Sequence, residues 1–268
     1  MVTLRGDALT VSVLSPVEDA HLLGTRYCTG GFVFQIDDDR HGALLAGPTY
    51  PDSYNLYDGQ GIPDAFQPHL PLAGGALLGI GIGRIDPDRN VVTERCEWRV
   101  ESSGTRLDFS TAQAGDEYAF GLERCVTLTG RTLVSSTRLA NTGKLHVPFQ
   151  WYPHPFFPHY PGGECCRFGA PVAIPDNPGY ELAPSGFLRM KGFPWVKRNH
   201  FLIVGYPPST PISLLQRHPL LSLVAARCDY ATTRFPVWGN DRTFSFEPYY
   251  ERVVSPGDEA RWSVEYDF

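Results

Sequence analysis

Apolar and polar residues alternate with a period close to two along much of the chain, which sends successive side chains to opposite faces of a pleated strand. Leu9/Val11/Val13, Trp98/Val100, Leu107/Phe109, Tyr118/Phe120/Leu122, Leu133/Ser135/Thr137/Leu139, Phe244/Phe246 and Trp262/Val264/Tyr266/Phe268 all follow this pattern. Turn-forming residues fall between the runs, at Asp86-Pro87, Ser103-Gly104, Asn141-Thr142-Gly143, Gly239-Asn240-Asp241 and Pro256-Gly257-Asp258, as expected for strands joined by tight connections. The run from Leu220 to Arg227 lacks Gly and Pro and suits either a helix or a strand; its strand-like neighbours assign it to a strand. With no compositional break and no fixed repeat, the pattern predicts one all-β domain over residues 1–268, a large antiparallel β-sandwich. Three stretches depart from it, Gly47 to Pro68, Tyr152 to Gly163 and Asp176 to Pro194. They read as long ordered loops that rim a groove.

Composition narrows the class. The 27 glycines and 24 prolines among 268 residues make long helices unfavourable. An apolar share of 42% supports a substantial core and excludes a disordered chain. The net charge of -6 and the scattered basic residues argue against nucleic acid as a partner, with Lys197-Arg198 read as a solvated turn. Arg5 and Asp7 are followed by no apolar run, and Leu70 to Ile82 is too short and Gly-rich to cross a bilayer, so a cytoplasmic protein without membrane association is expected. None of the six cysteines has Cys-x-x-Cys spacing, and the adjacent Cys165 and Cys166 fit disulfide geometry poorly; free thiols are expected.

Two segments have the makings of acid/base chemistry. In Trp151-Tyr152-Pro153-His154-Pro155-Phe156-Phe157, Pro155 steers His154 toward an extended conformation and the aromatic neighbours dehydrate it. The alternative is a histidine that merely ends a strand. In Thr243-Phe244-Ser245-Phe246-Glu247-Pro248-Tyr249-Tyr250, the two phenylalanines take one face, and Glu247 ends the strand on the other, as a proton acceptor in an aromatic groove or as a surface glutamate. Trp151, Trp238 and Tyr249 are candidates to stack on the apolar face of a sugar ring. His159 could join His154 as a metal pair, but the spacing offers no third ligand, so no metal is expected. The Gly-x-Gly-x-Gly run between Gly74 and Arg84 lacks the strand and helix context of a nucleotide site.

The order of several segments resembles the aldose 1-epimerase, or galactose mutarotase-like, superfamily, in particular its hexose-6-phosphate mutarotase branch. Gly59-Gln60-Gly61-Ile62-Pro63 is similar to that branch's Gly-Gly-Ile-Pro loop. Leu139-Ala140-Asn141-Thr142-Gly143, continuing through Val147-Pro148-Phe149 to His154-Pro155-Phe156-Phe157, resembles the Asn-Thr-Gly strand and the His-Pro-aromatic motif. Phe246-Glu247-Pro248 resembles the strand with the essential glutamate, and Ser255-Pro256-Gly257-Asp258 the closing turn.

The resemblance implies a β-supersandwich and a cofactor-independent mutarotase acting on a monosaccharide, as a monomer or homodimer. Glu247 would take the proton from the anomeric hydroxyl, and His154 would protonate the ring oxygen. The reference carboxylate and imidazole values suit those roles. Arg84 matches the arginine of a His-Gly-x-x-Arg motif whose histidine is replaced by Ile80, with His69 as a substitute from the preceding loop. Asp176 stands for the sugar-binding aspartate, and Asp58, where the phosphate branch has arginine, favours an unphosphorylated sugar. His154 and Glu247 are expected to face each other across a pocket about one monosaccharide wide. A non-catalytic carbohydrate-binding or regulatory module is the second reading.

Overall fold

The computed structural model describes residues 1–47, 60–196 and 198–268. Among them, the widest sheet has eight strands, ordered Arg99–Ser103, Arg106–Gly115, Tyr118–Thr129, Thr132–Asn141, Glu259–Asp267, Ser222–Ala231, Pro211–His218 and Cys166–Phe168. Neighbouring strands in it are antiparallel throughout. The alternation that predicted these strands is realised as one buried and one exposed face: in Glu259–Asp267, Trp262, Val264 and Tyr266 are buried, whereas Arg261 is exposed. The chain is all-β, as the sequence pattern predicts.

The buried face is covered by several small sheets. A three-stranded sheet sets Val147–Pro153 between Tyr250–Val254 and Asp64–Gln67. A four-stranded sheet runs in the order Phe157–Pro158, Thr243–Phe246, Phe235–Gly239 and His200–Val204. Aromatic contacts join the layers: Trp262 of the wide sheet stacks on Phe149 at 5.2 Å and meets the Trp151 ring edge-on at 5.5 Å. The second layer is thus a mosaic, because each loop excursion returns as its own short ladder.

The irregular stretches are more ordered than the sequence suggests. Tyr180–Leu182 and Leu188–Met190 form a hairpin within 176–194. Asp64–Gln67 is a strand within 47–68, and positions 48–59, with Asp58 and Gly59, lie outside the described residues, as does Lys197. The run at 220–227 is strand, starting at Ser222. All six cysteines are free thiols. Among the described residues no helix is long and apolar enough to cross a membrane.

Candidate active site

His154 and Glu247 are brought together by two ladders with the same design. The His154 N–H donates to the Pro63 carbonyl and the Phe156 N–H to the Gly61 carbonyl, each at 2.8 Å. Pro153 and Pro155 take the positions whose N–H would point away from this partner, so the missing donors cost nothing. On the other side the Glu247 N–H donates to Pro236 and the Tyr249 N–H to Arg234, each at 2.9 Å, with Pro248 between them. Gly61 has φ +69° and runs so close to the Val33 carbonyl that an added Cβ would sit 2.1 Å from its oxygen. Only glycine fits there.

The Val147–Pro153 strand separates core from site by its period of two. Trp151 is 1% exposed and belongs to the main core, whereas Tyr152, on the opposite face, packs in a second cluster with Tyr27, Phe32 and Tyr249. Past the strand, His154 stacks on Phe156 at a centroid separation of 4.3 Å and meets Trp238 edge-on at 5.7 Å. Tyr249 stacks flat on Tyr152 at 4.4 Å, and the Arg234 guanidinium lies 4.3 Å from the Tyr249 centroid.

The imidazole Nε2 stands 3.3 Å from a Glu247 carboxylate oxygen, and both side chains are almost fully buried, at 2% and 5% exposure. The two groups therefore face each other in direct contact, where a separation of about one monosaccharide was expected. A cleft of about 520 Å³ lies on the outer face of the wide sheet, lined by Glu123, Cys125, Ser136 and Arg261, away from the pair. The Glu247 strand differs from expectation as well. Thr243, Ser245 and Glu247, on the face opposite the phenylalanines, are as buried as the phenylalanines, because the strand is covered on both sides.

Burial inverts the reference order of the two acidities. Dehydration, followed by the nearby Arg26 charge, pushes the His154 imidazole well below its ordinary value. Dehydration pushes the Glu247 carboxyl up to about 7 against the pull of Arg26 and Arg234. Taking both groups out of water disfavours each charged form. Near neutral pH the imidazole is therefore neutral, and the titrating proton of the pair sits on the carboxyl, which gains and loses it around pH 7. The unperturbed values used above do not describe this site.

The remaining candidates divide sharply. Trp238 and Tyr249 flank the pair. Trp151 does not, being committed to the core. Arg84 is exposed on the Gly83–Asp86 strand, in a surface cleft with Glu94 and Arg95. Ile80, at the place of the second histidine, is 1% exposed in the main core. His69 is half-buried and meets the Thr25 backbone, one residue from Arg26. The Asp176 side chain is fully exposed, 3.9 Å from the Lys191 amine. His159 bonds the Asn240 carbonyl at 2.9 Å, and no group of three possible metal ligands occurs among the described residues.

Sequence reading missed Arg26, Arg234 and Tyr152. Tyr152 was legible, two residues before His154 and so on the same face. Arg26 and Arg234 carry no local signal: Arg26 comes from a distant segment, and Arg234 is set beside Glu247 by the pairing of the hairpin that precedes it.

No protein-family model matches the sequence, and a search of curated proteins finds no relative. Solved structures do resemble it. A galactose mutarotase related enzyme from Lactobacillus acidophilus superposes with a TM-score of 0.65 at 13% identity, over 100% of this chain and 97% of that one. A galactose mutarotase-like protein from Lactobacillus casei gives 0.61 at 11% identity, over 100% and 99%. An aldose epimerase homologue from C. elegans gives 0.52 at 9% identity, over 99% and 97%. Identities this low speak for architecture and not for chemistry. The chain has the galactose mutarotase-like fold, the all-β architecture that these structures share.

Proposed function

We propose that the protein is a mutarotase, interconverting the α and β anomers of an aldose in the cytoplasm. The observation that carries this reading is the buried contact between His154 Nε2 and Glu247 at 3.3 Å. The two oxygens of a cyclic hemiacetal share one carbon, so they lie closer together than any two non-bonded groups. An acid and a base already in contact can bracket them both.

The reaction follows from one shared proton. The unprotonated member of the pair takes the proton of the anomeric hydroxyl as the carbonyl forms. The bond from C1 to the ring oxygen breaks, and the protonated member supplies that oxygen with a proton. Rotation about C1–C2 exposes the other face of the aldehyde, and reclosure returns both protons. The pair ends with the proton count it began with, and no metal or organic cofactor takes part. Trp238 and Tyr249 would meet the sugar, with Arg26 and Arg234 holding charge beside the carboxyl. Arg84, His69, Trp151 and Asp176 are left out of the proposed contacts.

Exchange between anomers, followed by NMR on glucose and galactose, tests the proposal: catalysed exchange that disappears in Glu247→Gln supports it. The burial of the pair favours one other reading, a sugar-binding protein without turnover. That reading predicts saturable sugar binding while exchange stays at the spontaneous rate.

A further inference from the structure

Arg124 is 2% exposed, among the largest fully buried side chains, and it lies inside the Tyr118–Thr129 strand of the wide sheet. Both guanidinium nitrogens, Nη1 and Nη2, donate to the Asp64 carboxylate, and Nη2 also donates to Ser135 Oγ at 3.0 Å. Asp64 is itself buried, at 7% exposure. A buried ion pair is a poor way to gain stability, because the desolvation of two charges offsets most of their attraction, and apolar residues of similar volume often serve as well. What the pair supplies is a fixed geometry, since the guanidinium fork donates to a carboxylate in one plane and one register.

The backbone of Asp64 sits where two parts of the candidate site meet. It is the ladder partner of Pro153, and the preceding Pro63 carbonyl receives the His154 N–H. The Asp64 carbonyl receives the Cys28 N–H at 2.9 Å, at the end of the short segment that carries Arg26 and Tyr27. Neither Arg124 nor Asp64 reaches His154 or Glu247 through a side-chain hydrogen bond or ion pair among the described residues.

We infer that Arg124 and Asp64 are positioning residues, a buried clamp that ties the wide sheet to the Asp64 backbone and thereby sets His154 and Arg26 against Glu247. The inference rests on the mutarotase reading for its activity readout, but not for its structural one. A clamp of this kind acts on turnover more than on sugar affinity, because the sugar-facing side chains remain in place while the imidazole drifts. A misplacement on the order of 1 Å lowers a rate by about 100-fold.

The double variant Asp64→Leu/Arg124→Met, with Asp64→Asn as the conservative control, separates clamp from ballast. The measurements are the thermal midpoint, kcat and KM for anomer exchange, and the His154 imidazole Cε1–H resonance, assigned with His154→Gln. The double variant is expected to keep its midpoint and KM while kcat falls about 100-fold and the resonance shifts; Asp64→Asn should keep a larger share of kcat. A stable double variant with wild-type kcat and an unmoved resonance overturns the inference. If the double variant fails to fold, Arg124→Lys, which keeps the charge but loses the planar fork, decides instead, by whether the resonance moves. If the wild-type protein turns over no aldose, the mutarotase reading fails, and the resonance still decides whether the clamp positions the imidazole.

Discussion

His154 and Glu247, 93 positions apart in the chain, meet with 3.3 Å between imidazole nitrogen and carboxylate oxygen at the bottom of an aromatic cluster. Each reaches this point at the end of a ladder in which proline occupies the place that needs no N–H donor. The backbone therefore fixes both groups before any side-chain interaction between them is considered.

Removing either member of the pair should abolish catalysed exchange without unfolding the protein. Glu247→Gln and His154→Gln keep similar shape and take away the titratable group. Anomer exchange for both is expected at the spontaneous rate, a loss of at least about 100-fold. Circular dichroism checks that the β-sheet signal is retained.

The shared proton sets the pH dependence. With the Glu247 carboxyl pushed up to about 7 by burial, the pair loses its proton as pH rises through that value, and kcat should fall on the alkaline side. Arg26 and Arg234 hold the carboxyl down. Arg234→Gln should therefore move the alkaline limb to higher pH, which a kcat–pH profile of the two proteins measures directly. A limb that moves to lower pH would reverse the assigned electrostatics.

The same carboxyl links stability to pH. Its value in the folded protein, about 7, lies above the ordinary 4.5, so the folded state binds this proton more tightly than the unfolded chain. The contribution is fully present below about 4.5 and is lost as pH rises through about 7. Urea titrations at pH 4.5 and pH 8 should show wild-type protein losing stability relative to Glu247→Gln across that interval.

Two tryptophans should respond in opposite ways. Trp151→Ala removes a fully buried core side chain and is expected to cost about 3–5 kcal/mol of stability by chemical denaturation. Trp238→Ala, beside His154, should raise KM for the sugar by roughly tenfold. Arg84→Ala and Asp176→Ala, both at the surface, are expected to leave kcat and KM unchanged.

The strands and the two central groups were legible because they depend on local order. The alternation from Tyr118 to Leu122 and from Trp262 to Phe268 specifies a strand with one buried face, wherever the strand then packs. His154 and Glu247 stood out because a proline beside an ionisable group in an aromatic run is a local signal. Trp151 was misassigned for the converse reason. Its neighbours look like a sugar platform, yet the period of two that turns Tyr152 toward the site turns Trp151 into the core. The acidities could not be read from residue type, since they follow from burial by distant segments. Arg26 was invisible because only the tertiary fold brings it near Glu247, and Arg234 because its place beside Glu247 depends on the register of a hairpin pairing.

The central claim is that the His154–Glu247 pair exchanges anomers, and two-dimensional NMR exchange spectroscopy on an equilibrated aldose tests it most directly. Cross-peaks between α and β anomeric protons that grow with wild-type protein concentration, and vanish for Glu247→Gln, are the predicted result. Exchange at the buffer rate across glucose, galactose and a wider aldose panel, with folded wild-type protein at high concentration, would contradict the account.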